Sequence, residues 1–461
     1  SDNIALGPSG SERGDAVLEI PPRIGAIGTG ARFKVNADAS VQSLTYARSS
    51  EANKVWYNLR AGANAELVEN FFYLDARAYM QPQAIRAVSG RYPVDIINIT
   101  NDRTQTAGLS ISPSIRGETP DGYRYDLRYV VRVSDADTSQ VGGLGQGQWN
   151  ARIGRSDAFG PLGWDAYYSS SRERYDNRTN TSADRYGASL FYRVNTQIRL
   201  TASAGRESND YAGNTSKINY GAGVDWSPTP RTTIGARADR RFFGTGYDLR
   251  FNHRTSRSAF NLLATRDVTT NSQTVLDSIT VAVLPPPFDQ LAASITDPAE
   301  QQAFIQQLID QGIGGLANVQ QAFVSDRLLV ANRVNGSYAL RGARNTLTVT
   351  FGRQVSESAV RGGGITDDLT AATEVITNNA GINLSHSLTR LTSLTASANF
   401  YRSESDAAGS PFTKLQRYNL TLSSRLGVHT SGAVGLRHGR SRASTGEYSE
   451  NAVYGSLTYT F

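Results

Sequence analysis

The sequence predicts an all-β chain: a transmembrane antiparallel β-barrel of about 22 strands, with a helix in one long outer loop. Three observations predict it. Apolar and polar residues alternate with a period of two along almost the whole chain, the repeat of strands whose two faces meet different surroundings. Among the 461 residues no run approaches the ~18–20 uninterrupted apolar positions that a membrane helix needs. The last ten residues, AVYGSLTYTF, set Val453, Gly455, Leu457, Tyr459 and Phe461 on one face and Tyr454, Ser456, Thr458 and Thr460 on the other, so even the terminus is strand-like rather than polar and frayed.

Composition agrees once helices are set aside. A hydrophobic fraction of 39% and a mean hydropathy of −0.39 are low for a membrane protein. A barrel strand, however, spans with only ~9–11 residues, of which every second one faces lipid. The chain has no Cys and one Met, which suits an oxidising envelope. Basic residues number 47 against 41 acidic, and Lys stands only at Lys34, Lys54, Lys217 and Lys414, so 43 are Arg. Such a bias favours planar, multidentate contact with carboxylates, phosphates and hydroxyl-rich ligands. The chain shows no secretory leader, and strands of this type point to an already processed form.

The first strand is expected near Val17–Ile27. Further strands centre on Val35, Asn58, Leu74, Ile111, Val131, Ile153, Trp164, Leu190, Leu200, Tyr220, Ile234, Phe251, Leu262, Tyr338, Val349, Leu384, Ala396, Leu420, Val434 and Val453. That makes about 21 by pattern. Single-chain barrels have even strand numbers with both ends on the periplasmic side, so a further strand preceding or overlapping Ser1 is expected, for a total of about 22. Short tips such as Asn195-Thr196 and longer links such as 81–104 and 356–372 assign the periplasmic and outer ends respectively. Tyr57, Phe72, Trp149, Trp164, Trp226, Phe400 and Tyr459 lie where interfacial girdles would form. A propeller or solenoid would need a motif recurring every ~20–50 residues, and none is found.

One interval, 269–326, breaks the rhythm and reads as a long extracellular loop. Its centre has helix grammar: Asp297 as N-cap, Pro298 at the first turn, Glu300 three residues in, and Gly312 near the stop. Phe304, Ile305, Leu308 and Ile309 share one face of this helix. That face must be buried, either as a cap on neighbouring loops or as a constriction of the channel.

No catalytic or metal-binding set emerges. His253, His386, His429 and His438 join no acidic cluster, and the RGGG run at 361–364 lacks the strand, helix and Lys of a phosphate-binding loop. The chain reads as neither an enzyme nor a cofactor carrier, and a lipid-compatible face argues against nucleic acid. The chemistry lies instead in the inward parity. Arg60, Arg77, Arg124, Arg128, Arg152, Arg193, Arg199, Arg237, Arg241, Arg250, Arg254, Arg417, Arg425 and Arg437 all oppose apolar residues, with fewer Asp among them. Cross-strand salt bridges would satisfy most of these and leave a positive surplus. Tyr73, Tyr79, Tyr167 and Tyr401 share the face and could fill the lumen or stack on sugar rings.

SDNIAL at the start, GPSGSERGD after it, GANAELVENFFYLDARA from Gly62 to Ala78, and above all the stretch from Asp225 to Leu262 resemble the outer-membrane β-barrels associated with PEP-CTERM/exosortase systems. The resemblance covers nearly the whole chain and rests on structural motifs. It implies a glycan-secretion pore, since genes of that family accompany those of exopolysaccharide synthesis and export. It also implies an aromatic-containing strand leading into Asp2-Asn3. The C-terminal pattern Leu457, Tyr459 and Phe461 is similar to the signal that the barrel-assembly machinery reads.

The expectation is therefore a porin-like conduit in the outer membrane of a Gram-negative bacterium, carrying exopolysaccharide. Its partners would be membrane lipid, the assembly machinery, an acidic polysaccharide and periplasmic export proteins. The other class open to the sequence is a closed barrel that anchors a surface assembly or periplasmic partner.

Overall fold

In a computed structural model the chain forms one 22-segment antiparallel sheet of the outer-membrane-barrel type. The structure describes all residues except 87, 89–92, 94, 139–141, 177–178, 212, 214, 280–283, 285–286, 294, 296–300, 302–303, 306–307, 309–324, 326, 360–371, 445 and 461. The segments are β1 (Val17–Ile20), β2 (Arg23–Thr29), β3 (Phe33–Tyr46), β4 (Lys54–Val68), β5 (Phe72–Ala84), β6 (Arg103–Glu118), β7 (Arg124–Ala136) and β8 (Leu144–Phe159). There follow β9 (Leu162–Tyr175), β10 (Thr181–Arg193), β11 (Ile198–Asn209), β12 (Thr215–Thr229), β13 (Thr232–Arg241), β14 (Gly244–Arg254) and β15 (Ser258–Thr269). The helices α1 (Asn271–Ser278) and α2 (Phe288–Ala292) precede β16 (Leu329–Arg341), β17 (Asn345–Ser358), β18 (Glu374–Ser387) and β19 (Thr392–Ser405). The chain closes with β20 (Phe412–Arg425), β21 (Thr430–Ala443) and β22 (Gly446–Tyr459).

From β3 onward each segment pairs antiparallel with the next. β1 and β2 both pair with β3 in one unbroken register, from Val17 opposite Tyr46 to Thr29 opposite Lys34. They are two halves of one stave, interrupted where Pro21 and Pro22 have no N–H to give the ladder. The 22 segments thus make 21 staves, each at a position the alternation expects.

The two faces differ sharply. Ser189 is 5% exposed and Leu190 55%, Asn219 2% and Tyr220 62%, Ala452 8% and Val453 78%. The outward residues form an apolar band that only a lipid environment would cover, far beyond the patches tolerated on soluble monomers. Trp149 and Trp226 are exposed on that outer face, as a girdle requires.

Connections at one end are tight, such as Pro230-Arg231 between β12 and β13, while those at the other end include 85–102 and 270–328. This asymmetry assigns the tight end to the periplasm. At the loop end the first stave and β22 are tied by the amino-terminal residues. Asp15 N donates to Ser1 O (3.0 Å), Asp2 N donates to Asn451 O (3.0 Å), and Asn451 N donates to Asp2 Oδ1 (2.7 Å). Asp95 and Asn98 reach the same junction, Asp95 lying 2.6 Å from Arg437 and Asn98 Nδ2 donating to Glu450 Oε2 at 2.9 Å. Ile4 is buried with Leu44, Tyr46 and Trp56 beneath this tie.

Candidate functional site: the inner wall and a re-entrant segment

The interval between β15 and β16 does not stay outside as a loop. Its apolar residues need burial, and the inner wall provides a seat of small residues. Leu284, Phe288, Leu291, Ile295, Phe304 and Leu308 form one buried cluster with Ala259 of β15 and Ala339 of β16, both fully covered. Ala259 and Ala339 face each other across the ladder one step from the tight-turn end. The cluster therefore lies about 34 Å along the strand from Thr269, at ~3.4 Å per residue for ten residues. The described residues of the segment thus lie inside the wall and reach its tight-turn end.

The described residues of the expected outer loop thus pack against the inner wall rather than only on neighbouring loops. Of the expected helical face, Phe304 and Leu308 are buried and Ile305 packs against them, while Gln301, Phe304, Ile305 and Leu308 are helical. Ile309 and the expected start at Asp297 lie outside the described residues.

The helix α1 crosses the lumen near its outer end. Thr270 caps it, accepting from Gln273 N at 3.0 Å. Arg333 of β16 donates through Nη2 to Thr274 Oγ1 (2.7 Å) on one side. On the other, Asp277 Oδ1 lies 3.3 Å from Arg77 Nη1 of β5 and 3.4 Å from Arg132 Nη2 of β7. Val275, Leu276 and Ile279 are buried on the ring of Tyr79. That ring lies across Gly108, its partner on β6, where a Cβ would come within 2.3 Å of Tyr79 Cε1. Glycine is thus required beneath the ring, and the Tyr–Gly cross-strand pair was the unused sequence signal for this seat.

Beside α1 the wall of β5–β8 hollows into a cavity of about 220 Å3, lined by Asp75, Arg77, Ser110, Ser112, Arg128, Val130, Arg132, Gln148, Asn150 and Gln273. Arg128 Nη1 donates to Asp75 Oδ2 (2.6 Å) and Ser112 Oγ (3.1 Å). Arg132 Nη1 donates to Gln146 Oε1 (3.0 Å) and Gln148 Oε1 (3.1 Å). Arg77, Arg128 and Tyr79 are among the lining residues expected from parity; Arg132 shares that parity and joins them here.

The other expected residues divide into paired and open groups. Arg60 is buried and donates to Gln81; Arg152 pairs with Asp165 (3.0 Å). Arg241 is buried between Glu207 (2.6 Å) and Asp267 (3.0 Å). Arg437 pairs with Glu450 (2.9 Å), and Arg417 lies 3.5 Å from Asp95. Arg124 sits at the rim with Glu118, and Arg425 donates to Gly427 O and Val428 O, so both hold turns rather than line a path. Tyr73 lies under the Arg116 guanidinium at 3.8 Å, and Tyr167 is 5.5 Å from Arg185. Tyr401 is half-buried between Asn379 and Leu415.

The open group gathers toward the tight-turn end of β10–β14. Arg193 and Arg199 stand directly opposite each other, and Arg199 pairs with Asp225 (2.7 Å). Arg250 pairs with Asp248 (2.8 Å), which also faces Arg237 across the ladder. Arg193, Arg237 and Arg254 have no ion pair among the described residues, and Arg193, Arg199, Arg237 and Arg250 are exposed to the lumen. Five guanidiniums against Asp225 and Asp248 leave this zone positive.

Among the described residues no three His, Cys, Asp or Glu side chains are grouped to hold a metal. The histidines serve local ladders: His386 Nδ1 pairs with Asn345 Oδ1 at 2.7 Å and His438 Nδ1 with Asn451 Oδ1 at 2.8 Å. Leu457 and Tyr459 are exposed on the outer face, and Phe461 lies outside the described residues.

No family model and no curated protein matches the chain. Among solved structures it is similar to the siderophore receptor PirA from Acinetobacter baumannii, with 8% identity over 98% of this chain and 79% of that one, at a TM-score of 0.48. It is similar to the FrpB iron transporter from Neisseria meningitidis, with 8% identity over 95% and 79% and a TM-score of 0.48. A third is OccK5 from Pseudomonas aeruginosa, with 9% identity over 86% of this chain and all of that one, at 0.35. These identities and scores are too low to carry a substrate or mechanism from those proteins to this chain.

Proposed function

We propose that the protein is a porin-like, non-enzymatic conduit in the outer membrane of a Gram-negative bacterium, through which an acidic exopolysaccharide leaves the cell. The observation that carries this reading is the open arginine zone at the tight-turn end, where a polymer arriving from the periplasm would enter. Low-dielectric walls focus the field of surplus charge and raise the local concentration of anions. Membrane lipid would cover the outer band. The assembly machinery would read Leu457, Tyr459 and Phe461, and periplasmic export proteins would present the polymer at the arginine zone.

A clean deletion strain tests it: surface polysaccharide should fall and glycan should accumulate in the periplasm while polymer synthesis continues. The second reading, a closed docking barrel, is favoured by the segment seated in the lumen. Wild-type surface polysaccharide in the deletion strain, with no redundant barrel, would select that reading and refute export.

A further inference from the structure

Resting on the reading of the barrel as a conduit for acidic glycan, we propose that the cavity beside α1 is a binding site for one hexuronate residue, and that Asp277 is a built-in competitor for its carboxylate position. The cavity of about 220 Å3 is well beyond the ~15 Å3 that holds one water and has room for a pyranose ring. Its lining is polar throughout except Val130. Three guanidiniums converge on it; the carboxylates nearby are Asp75, already paired with Arg128 at 2.6 Å, Asp277, and Glu173, which accepts from Gln146 (3.0 Å) behind Arg132. Ser110, Ser112, Asn150 and Gln273 offer both donors and acceptors to ring hydroxyls.

Asp277 shows which anion the site takes. One of its carboxylate oxygens sits between Arg77 and Arg132 at 3.3 and 3.4 Å, longer than the ~2.7–2.9 Å of a fully formed charge-assisted bond. The side chain of Asp277 is 46% exposed, whereas that of Arg132 is 12% exposed. Arg132 Nε has no hydrogen-bond partner among the described residues. A buried, incompletely used guanidinium thus faces a loosely held, solvent-accessible carboxylate. A uronate carboxylate replaces that of Asp277 without changing the charge of the site. Its ring hydroxyls add contacts that an aspartate side chain does not make. With Asp277 released, α1 loses its ion pairs to β5 and β7 and is held by its apolar contact with Tyr79 and its bond to Arg333, so occupancy by the polymer loosens the bar across the lumen.

The test uses the full chain in detergent micelles, by isothermal titration calorimetry with trigalacturonate, maltotriose and sodium sulfate. Trigalacturonate should bind and weaken with added salt, and the neutral maltotriose should not bind. Asp277→Asn, which removes the competitor from an exposed position, should tighten trigalacturonate binding by roughly tenfold, and Arg132→Gln should weaken it by at least about tenfold. Unchanged or weaker binding in a folded Asp277→Asn protein overturns the competitor role. Maltotriose or sulfate binding as tightly as trigalacturonate overturns the hexuronate assignment. The measurement involves no export, so absence of binding removes this site while leaving the deletion phenotype to judge the conduit.

Discussion

Replacing Phe288 by Ala should unseat the re-entrant segment and open the lumen. Phe288 is completely buried at the centre of the cluster that joins Leu284, Leu291, Ile295, Phe304 and Leu308 to the wall at Ala259 and Ala339. Truncating such a ring costs about 3–5 kcal/mol in lost burial and residual cavity. At 1.4 kcal/mol per factor of ten, the ratio of seated to unseated segment falls by about 10² to 4 × 10³. The barrel wall itself keeps every ladder hydrogen bond, because Phe288 belongs to no strand. Single-channel recording in planar bilayers should show a larger mean conductance with more frequent open excursions than the parent. Leu391→Ala, an exposed change in a tight turn outside the cluster, should behave as the parent does. Parent-like conductance in correctly inserted Phe288→Ala protein would refute the claim that this cluster obstructs the path.

Two further predictions concern the wall. Arg193→Ser, Arg199→Ser and Arg237→Ser together should abolish anion preference, read as reversal potential under a salt gradient; cation selectivity in the parent protein would already contradict the positive surplus. Replacing Leu457 and Tyr459 by Ser should lower the amount of inserted barrel without changing the conductance of molecules that do insert, since both side chains point to lipid. Normal outer-membrane levels would show that the terminal pattern is not read during assembly.

The strand wall was legible because its signal is local. Period-two alternation shows in any ten-residue stretch, so each expected centre from Val35 to Val453 falls within a strand of the structure. The broken first stave was half legible: Pro21-Pro22 marks the gap, but only the shared register with β3 shows that β1 and β2 are one line. The lumen was illegible for the opposite reason. That Ala259 and Ala339 seat Phe304 and Leu308 depends on contacts between distant parts of the chain, and an alanine in a strand carries no mark of what covers it. Parity identified Arg77 and Arg128 as inward, yet it could not distinguish Arg425, which holds a turn, from Arg237, which stands open. That difference is set by the partners each guanidinium reaches, not by the sequence period.

The most direct test of the conduit is flux of fluorescent oligouronide from liposomes that contain the protein with residues 270–328 replaced by a short turn. The account predicts that the acidic oligosaccharide leaves several-fold faster than a neutral one of the same length, because the arginine zone remains and the obstruction is gone. Retention of both sugars by liposomes shown to contain inserted barrel, or equal rates for the two, would contradict it.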